Sequence, residues 1–158
     1  MKNLATFGMG CFWTPQLMFS ETPGVIKAVA GYMGGNEKLF PAPNYEQVCS
    51  NSSGFAEVTQ ITFNPEKISY SELLEIFWKN HNPTEKDKQG ADIGNQYRSI
   101  IFFHTKEQEI LAESSKIAVQ KKFSKKIQTK IGKAKTFFPA EDYHQDFLKK
   151  SGQHTCHI

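Results

Sequence analysis

The 158-residue sequence is poor in cysteine, with three, and in arginine, with Arg98 alone among its 19 basic residues. Three thiols as far apart as Cys11, Cys49 and Cys156 do not make the disulfide framework of a small secreted domain. No apolar run approaches the roughly 18 residues of a membrane span, so no transmembrane helix is expected. The N-terminal MKNLATFGMG has neither the apolar core of a secretory signal nor the Arg-rich amphipathic pattern of an organelle leader, and a cytoplasmic location is expected. A large charge of one sign is missing too. Nineteen basic against sixteen acidic residues leave +3, too little to call for nucleic acid as a partner. Repeats and interdomain linkers are absent. With 39% apolar and 22% charged residues, the expectation is one globular domain over 1–158, long enough to bury ~70% of its unfolded surface.

Apolar and turn patterns give the order of elements. Leu4 to Met9 reads as a strand ending in Gly8-Met9-Gly10. The following CFWTPQLMFSETPG reads as a helix, with Pro15 early, Leu17, Met18 and Phe19 apolar, and Pro23-Gly24 as a stop. Val25 to Met33 is a strand entering a long Gly-, Pro- and Ser-rich loop over 34–53, and Ala56 to Phe63 is another strand. Ser69-x-x-Glu72 is a capping box for a helix over about 69–81, and Asn82 to Gln96 reads as a second loop. Ser99 to Phe103 is a strand covered on both faces. Thr105, with Gln108 at the matching position, starts a helix reaching about Phe123 on a stripe of Ile110, Leu111, Ile117 and Ala118. Ile127 to Lys135 alternates like an edge strand, and Ala140 to Lys150 is a short last helix before a mobile tail, 151–158. The order predicts an α/β sandwich with a ferredoxin-like βαββαβ core, an added helix and an added strand.

Cys11 stands where a strand hands over to a helix, whose free N–H groups and dipole stabilise a thiolate; a buried inert cysteine is the bland alternative. Phe12 and Trp13 after it are core aromatics or the walls of a pocket for a methyl or thioether group. Glu57 shares a strand face with Ile61 and Phe63, and on an inner face its carboxyl would be desolvated and suited to act as a general acid. Val58 on the opposite face makes the alternation imperfect. Tyr45 and Tyr97, one from each long loop, are candidate donors to a polar substrate oxygen or surface tyrosines; Asp92 after Gly90-Ala91 is a turn residue or part of a polar group. Cys156, in the tail with His154 and His157, is placed to reach a reactive thiol. A metal site from those three with His144 matches no strong spacing pattern. Cys49 reads as packing. The eight lysines between Lys116 and Lys135 read as a solvated helix face, since no stacking aromatics alternate with them.

Taken together, Gly10-Cys11-Phe12-Trp13, Gly31-Tyr32-Met33-Gly34-Gly35, Asn44 to Ser50, Gly54-Phe55-Ala56-Glu57, Phe77 to Pro83, Gln89 to Ser99 and Phe138 to Gln145 resemble the A-type peptide methionine sulfoxide reductases. The match is colinear over nearly the whole chain. The resemblance implies Cys11 as nucleophile, Glu57 as the acid that protonates the sulfoxide oxygen, and Tyr45 and Tyr97 as its hydrogen-bonding partners. It further implies Asp92 as a residue ordering that polar group, Phe12 and Trp13 as the methyl pocket, Cys156 as the recycling cysteine, and preference for the S epimer. Three departures from the family pattern are present: Thr14 and Gln16 replace a glycine and a glutamate, Phe55 replaces a histidine, and Ser151 to Thr155 replaces an Asn-Pro-x-Gly-Tyr run.

The chemistry so implied is attack of the Cys11 thiolate on sulfur with proton donation to oxygen, then a sulfenic acid condensing with Cys156, then thioredoxin or dithiothreitol as reductant. No bound cofactor or metal is expected. Expected partners are oxidised proteins, methionine sulfoxide and thioredoxin, without nucleic acid or membrane, for a monomeric protein. One rival is a cysteine hydrolase, which needs a histidine base that no motif here supplies. Another is a module in which Cys11 only senses oxidant.

Overall fold

The computed structural model describes residues 3–152. In chain order the elements are β1 (Leu4–Met9), α1 (Trp13–Ser20), β2 (Val25–Met33), α2 (Tyr45–Cys49), β3 (Ala56–Phe63), α3 (Tyr70–Lys79), β4 (Lys88–Gln89), β5 (Asp92–Ile93), a 3-10 turn at Asn95–Tyr97, β6 (Ser99–Phe103), α4 (Lys106–Gln120), β7 (Lys130–Lys133), β8 (Phe138–Pro139) and α5 (Phe147–Ser151). A six-stranded sheet runs β7-β6-β1-β3-β2-β8. Its inner four strands, β6-β1-β3-β2, pair antiparallel with one another, which is the ferredoxin-like order expected of βαββαβ. β7 joins β6 in parallel through α4, at the edge its alternation predicted. Among the described residues no helix is long and apolar enough to cross a membrane.

Registers explain the core. Phe7 lies opposite Thr59 on one side and Ile101 on the other, so Ala5, Phe7 and Met9 share a face with Ile61 and Phe63 beneath the helices. The Phe7 ring meets those of Phe77, Phe19 and Tyr70 at 5.0, 5.8 and 6.2 Å, joining α1 and α3 to the central strand. Truncating so central a ring typically costs about 3–5 kcal/mol. Ala56 and Val58 point the opposite way, into a second cluster with Met33, Ile100 and Phe102 that Ala134 and Phe137 cover. Both faces of β3 are therefore buried, which is why its alternation reads imperfectly. Close packing on that side depends on Gly31, where a Cβ would come within 2.4 Å of the Phe137 ring.

Helix signals located the starts better than the extents. Ser69 and Glu72 form the reciprocal capping box of α3. Thr105 caps α4 through the Gln108 N–H, but the Gln108 side chain accepts from His104 N–H and donates to the Leu4 carbonyl, so that box is not closed. The helix ends at Gln120, and its inward side is Gln108, Leu111, Ala112, Ser115 and Val119; Ile110, Ile117 and Ala118 are exposed. The expected stripe was rotated because Gln108, a polar residue, satisfies backbone groups in the interior. The loop over 34–53 contains α2, whose Asn44-x-x-Gln47 capping box went unread in the sequence. The loop over 82–96 holds the β4–β5 hairpin and the 3-10 turn. The final helix is shorter than 140–150: Phe138-Pro139 pairs with β2 as a second edge strand, and Asp146 adopts positive φ just before α5.

Candidate active site

Gly10 turns the chain out of β1 with φ +93°, and its missing Cβ makes room for the Gln89 side chain, 2.9 Å from where that carbon would sit. The half-buried Cys11 follows, then Phe12 as N-cap of α1 without a side-chain cap of its own. Glu57 reaches the same turn: its Oε1 accepts the N–H of Phe12 at 3.2 Å, from a side chain only 2% exposed on the helix-covered face of β3. The thiol residue and the carboxyl thus meet at one helix N-terminus, where free N–H groups and the dipole favour negative charge.

The two long loops meet the same place. Burial raises the pKa of both the Tyr45 and Tyr97 phenols, and the charge of Glu57 adds to the shift in each, so both remain neutral O–H donors. Cys49, the last residue of α2, lies beside both phenols. Its thiol is raised by burial and by Glu57, and hydrogen bonds from Tyr45, Gln96 and Tyr97 oppose the shift. Asp92 acts electrostatically on Tyr97 and also lines a cavity of about 290 Å³ with Cys11, Met9, Pro15, Met18 and His81. Two clamps hold the loops together. Arg98 donates through Nη1 to the Asn95 carbonyl at 2.8 Å and through Nη2 to the Gly54 carbonyl at 3.0 Å, while Asn95 donates from its backbone and side chain to Asn51. The single arginine therefore fixes the Tyr97 turn to the segment entering β3.

Phe12 and Trp13 diverge. Phe12 is 1% exposed against Tyr32 and the His144 ring, whereas Trp13 stacks on Phe147 at 3.8 Å. Trp13 Nε1–H donates to His144 Nδ1 at 3.1 Å, so the ring proton lies on Nε2, and burial lowers the pKa of this imidazole. Tyr45 and Tyr143 pack on the same ring at 4.5 and 4.2 Å. His144 gathers four aromatic rings around it, and no cluster of three metal-type side chains occurs among the described residues. Glu141, unmarked in the sequence, accepts from the Tyr32 phenol at 2.8 Å and from the Tyr45 N–H at 2.9 Å. Burial raises its pKa, but these hydrogen bonds outweigh it and the net shift is downward. Gln16 donates to the Ala28 carbonyl and to Gln145 Oε1 and accepts from Asp146 N–H, so it ties α1 to the segment before α5. His154, Cys156 and His157 lie outside the described residues.

The ferredoxin-like sheet thus brings a cysteine and a buried carboxyl to one helix N-terminus, with two phenols under the influence of the same carboxyl, an arrangement of an α/β enzyme. A family model described as peptide methionine sulfoxide reductase matches residues 3–158. A peptide methionine sulfoxide reductase MsrA of Methanococcus maripaludis is 50% identical over 146 residues, covering 92% of this chain and 91% of that protein. The structure of Mxr1 from Saccharomyces cerevisiae in reduced form superposes with a TM-score of 0.92 at 35% identity, over 98% of this chain and 88% of that one. Mxr1 in complex with Trx2 superposes with a TM-score of 0.65 at 27% identity, over 90% and 84%. The chain belongs to the peptide methionine sulfoxide reductase family, and within it to the MsrA type.

Proposed function

We propose that the protein reduces the S epimer of methionine sulfoxide, in polypeptides and as the free amino acid, with Cys11 as nucleophile and Glu57 as acid. The observation that carries this reading is the Phe12 N–H to Glu57 bond, which holds the carboxyl at the helix terminus that Cys11 precedes. Oxide is a very poor leaving group, so sulfur must be attacked while oxygen is protonated. The Cys11 thiolate attacks the sulfoxide sulfur, Glu57 delivers a proton to oxygen, and the Tyr45 and Tyr97 hydroxyls stabilise the charge that develops there. Asp92 keeps Tyr97 in place, and the Phe12 and Trp13 rings bound the space for the substrate methyl. Sulfur gains two electrons and leaves as methionine; Cys11 loses two and becomes a sulfenic acid.

Cys156 then attacks the Cys11 sulfur, a disulfide forms, and the oxygen leaves as water. Cys156 is four positions beyond Gly152, a length that spans at most about 14 Å. The stacking of Phe147 on Trp13 anchors the start of that segment next to the nucleophile. A thioredoxin-like dithiol restores both thiols by exchange, a reading supported by the relative captured with Trx2. No bound cofactor takes part, and a reducing, cytoplasmic setting suits the cycle.

Turnover with dithiothreitol and each separated epimer of N-acetylmethionine sulfoxide tests the proposal. Methionine formation from the S epimer is expected; inertness toward both epimers overturns the activity, and reduction of the R epimer alone overturns the stereochemical assignment.

A further inference from the structure

Helices α3 and α4 do not close against each other along their outer side. They leave a groove of about 750 Å³ with Leu74, Trp78, Leu111, Val119 and Phe123 as its apolar lining. Trp78 is held there by donation from Nε1–H to Ser115 Oγ at 2.9 Å. On the α4 side Ala118 adds to the apolar wall. This is more apolar surface than a solvated lysine face needs, and it is concave.

Position and charge indicate what it receives. β1 and α3 both end beside the Cys11 cavity, and the later part of α4 returns to the same end of the sheet after β6 runs away from it. His81 is a shared wall: it lines the α3–α4 groove and also the cavity that contains Cys11. Lys79 and Lys122 line the groove at this end, and Lys125 lines the adjoining depression together with Lys79 and Phe123; Glu75, one turn back on α3, is the acidic side chain in the lining. An apolar floor with three ammonium groups at its mouth complements a segment that pairs an apolar side chain with carboxylates.

We infer that the α3–α4 groove is an accessory docking site for unfolded polypeptide substrates, taking an apolar residue flanked by Asp or Glu a short distance along the chain from the oxidised methionine. This rests on the reductase reading and specifies its substrate class. An extended chain advances about 3.4 Å per residue and α3 rises 1.5 Å per residue, so an anchor roughly four to eight residues from the sulfoxide spans the distance from the Cys11 cavity to mid-groove. Blocked methionine sulfoxide is too small to use the groove.

The test compares two peptides of equal length, each with one methionine S-sulfoxide, one bearing a Leu-Phe anchor flanked by Asp residues at that spacing and the other Ser and Gly in the same places. Dithiothreitol is the reductant, and the proteins are the wild-type chain and the Lys122→Glu/Lys125→Glu variant. The anchored peptide is expected to have a kcat/KM about tenfold higher, mainly through KM, and the variant is expected to lose that advantage while reducing N-acetylmethionine sulfoxide at the wild-type rate. Fluorescence anisotropy of the anchored peptide with methionine in place of the sulfoxide reads docking without chemistry. Binding that weakens at least fivefold in the variant supports the groove even if no turnover occurs, so failure of the reductase reading is seen separately. Equal kcat/KM for the two peptides together with equal anisotropy in the two proteins overturns the inference. It is also overturned if the variant keeps peptide binding yet slows only thioredoxin-driven turnover, which would assign the lysines to the reductant.

Discussion

Phe12 N–H and Glu57 Oε1, 45 residues apart in sequence, meet at 3.2 Å and hold the carboxyl of β3 at the start of α1. An ordinary N-cap would be a Ser, Thr, Asp or Asn at position 12 itself. With an aromatic ring at position 12, α1 has no side-chain cap there, and an acid from another strand stands next to the residue that follows the cysteine. Replacing Glu57 with Gln keeps an acceptor oxygen for Phe12 and removes the acidic proton. The expected result is a native fold with single-turnover methionine formation slowed by about 10²–10⁴-fold at neutral pH; a full rate in this variant would refute the acid role.

Thiol labelling should separate the cysteines. Burial, reinforced by the nearby Glu57, raises the Cys49 pKa and keeps it a neutral thiol bonded to Tyr45. Iodoacetamide at pH 7 is expected to modify Cys11 at least tenfold faster than Cys49, as read by peptide mass mapping. Comparable rates would contradict the buried phenol–thiol cluster.

His81 should make stability depend on pH. Burial pushes its pKa down to about 4, while Nδ1 and Nε2 lie 2.7 Å from the Phe77 carbonyl and Ser99 Oγ. With an unfolded value near 6.5, the unfolded chain binds a proton that the folded imidazole refuses. Stability is therefore complete above about pH 6.5 and falls as pH drops toward 4, by up to about 3 kcal/mol from this residue. His104 and His144, also lowered by burial, act in the same direction. Urea unfolding of wild type and His81→Gln at pH 7 and pH 4.5 isolates its share, and identical pH dependence in the two proteins would remove it.

Recycling is tested at Cys156. In Cys156→Ser, one methionine per enzyme is expected in a single-turnover assay, with thioredoxin-driven cycling reduced at least 100-fold. Undiminished cycling would transfer the resolving role to Cys49, which already lies in the phenol cluster.

Strands β1, β2, β3 and β6 were legible to the residue because each is an apolar run bounded by glycine, proline or polar turns. Cys11, Glu57, Tyr45, Tyr97 and Asp92 stand out as candidates because the colinear motifs gather them; taken singly, each has a bland reading as well. Less could be read where one side chain serves two elements at once. Gln108 reaches β1 and rotates the inner side of α4, and Glu141 and His144 act on Tyr45 and Trp13 across more than 90 residues, so no local pattern marks them.

The amino-acid sequence by itself determined the βαββαβ order, the starts of α3 and α4 and the placing of a cysteine at a strand-to-helix turn, all of which depend on neighbours within a few positions. Only the tertiary structure decided that Glu57 meets the start of α1, that Arg98 clamps two loops, that Cys49 lies beside the two phenols and that α3 and α4 leave a groove. Those are contacts between distant segments, settled by sheet register and by which buried polar groups find partners.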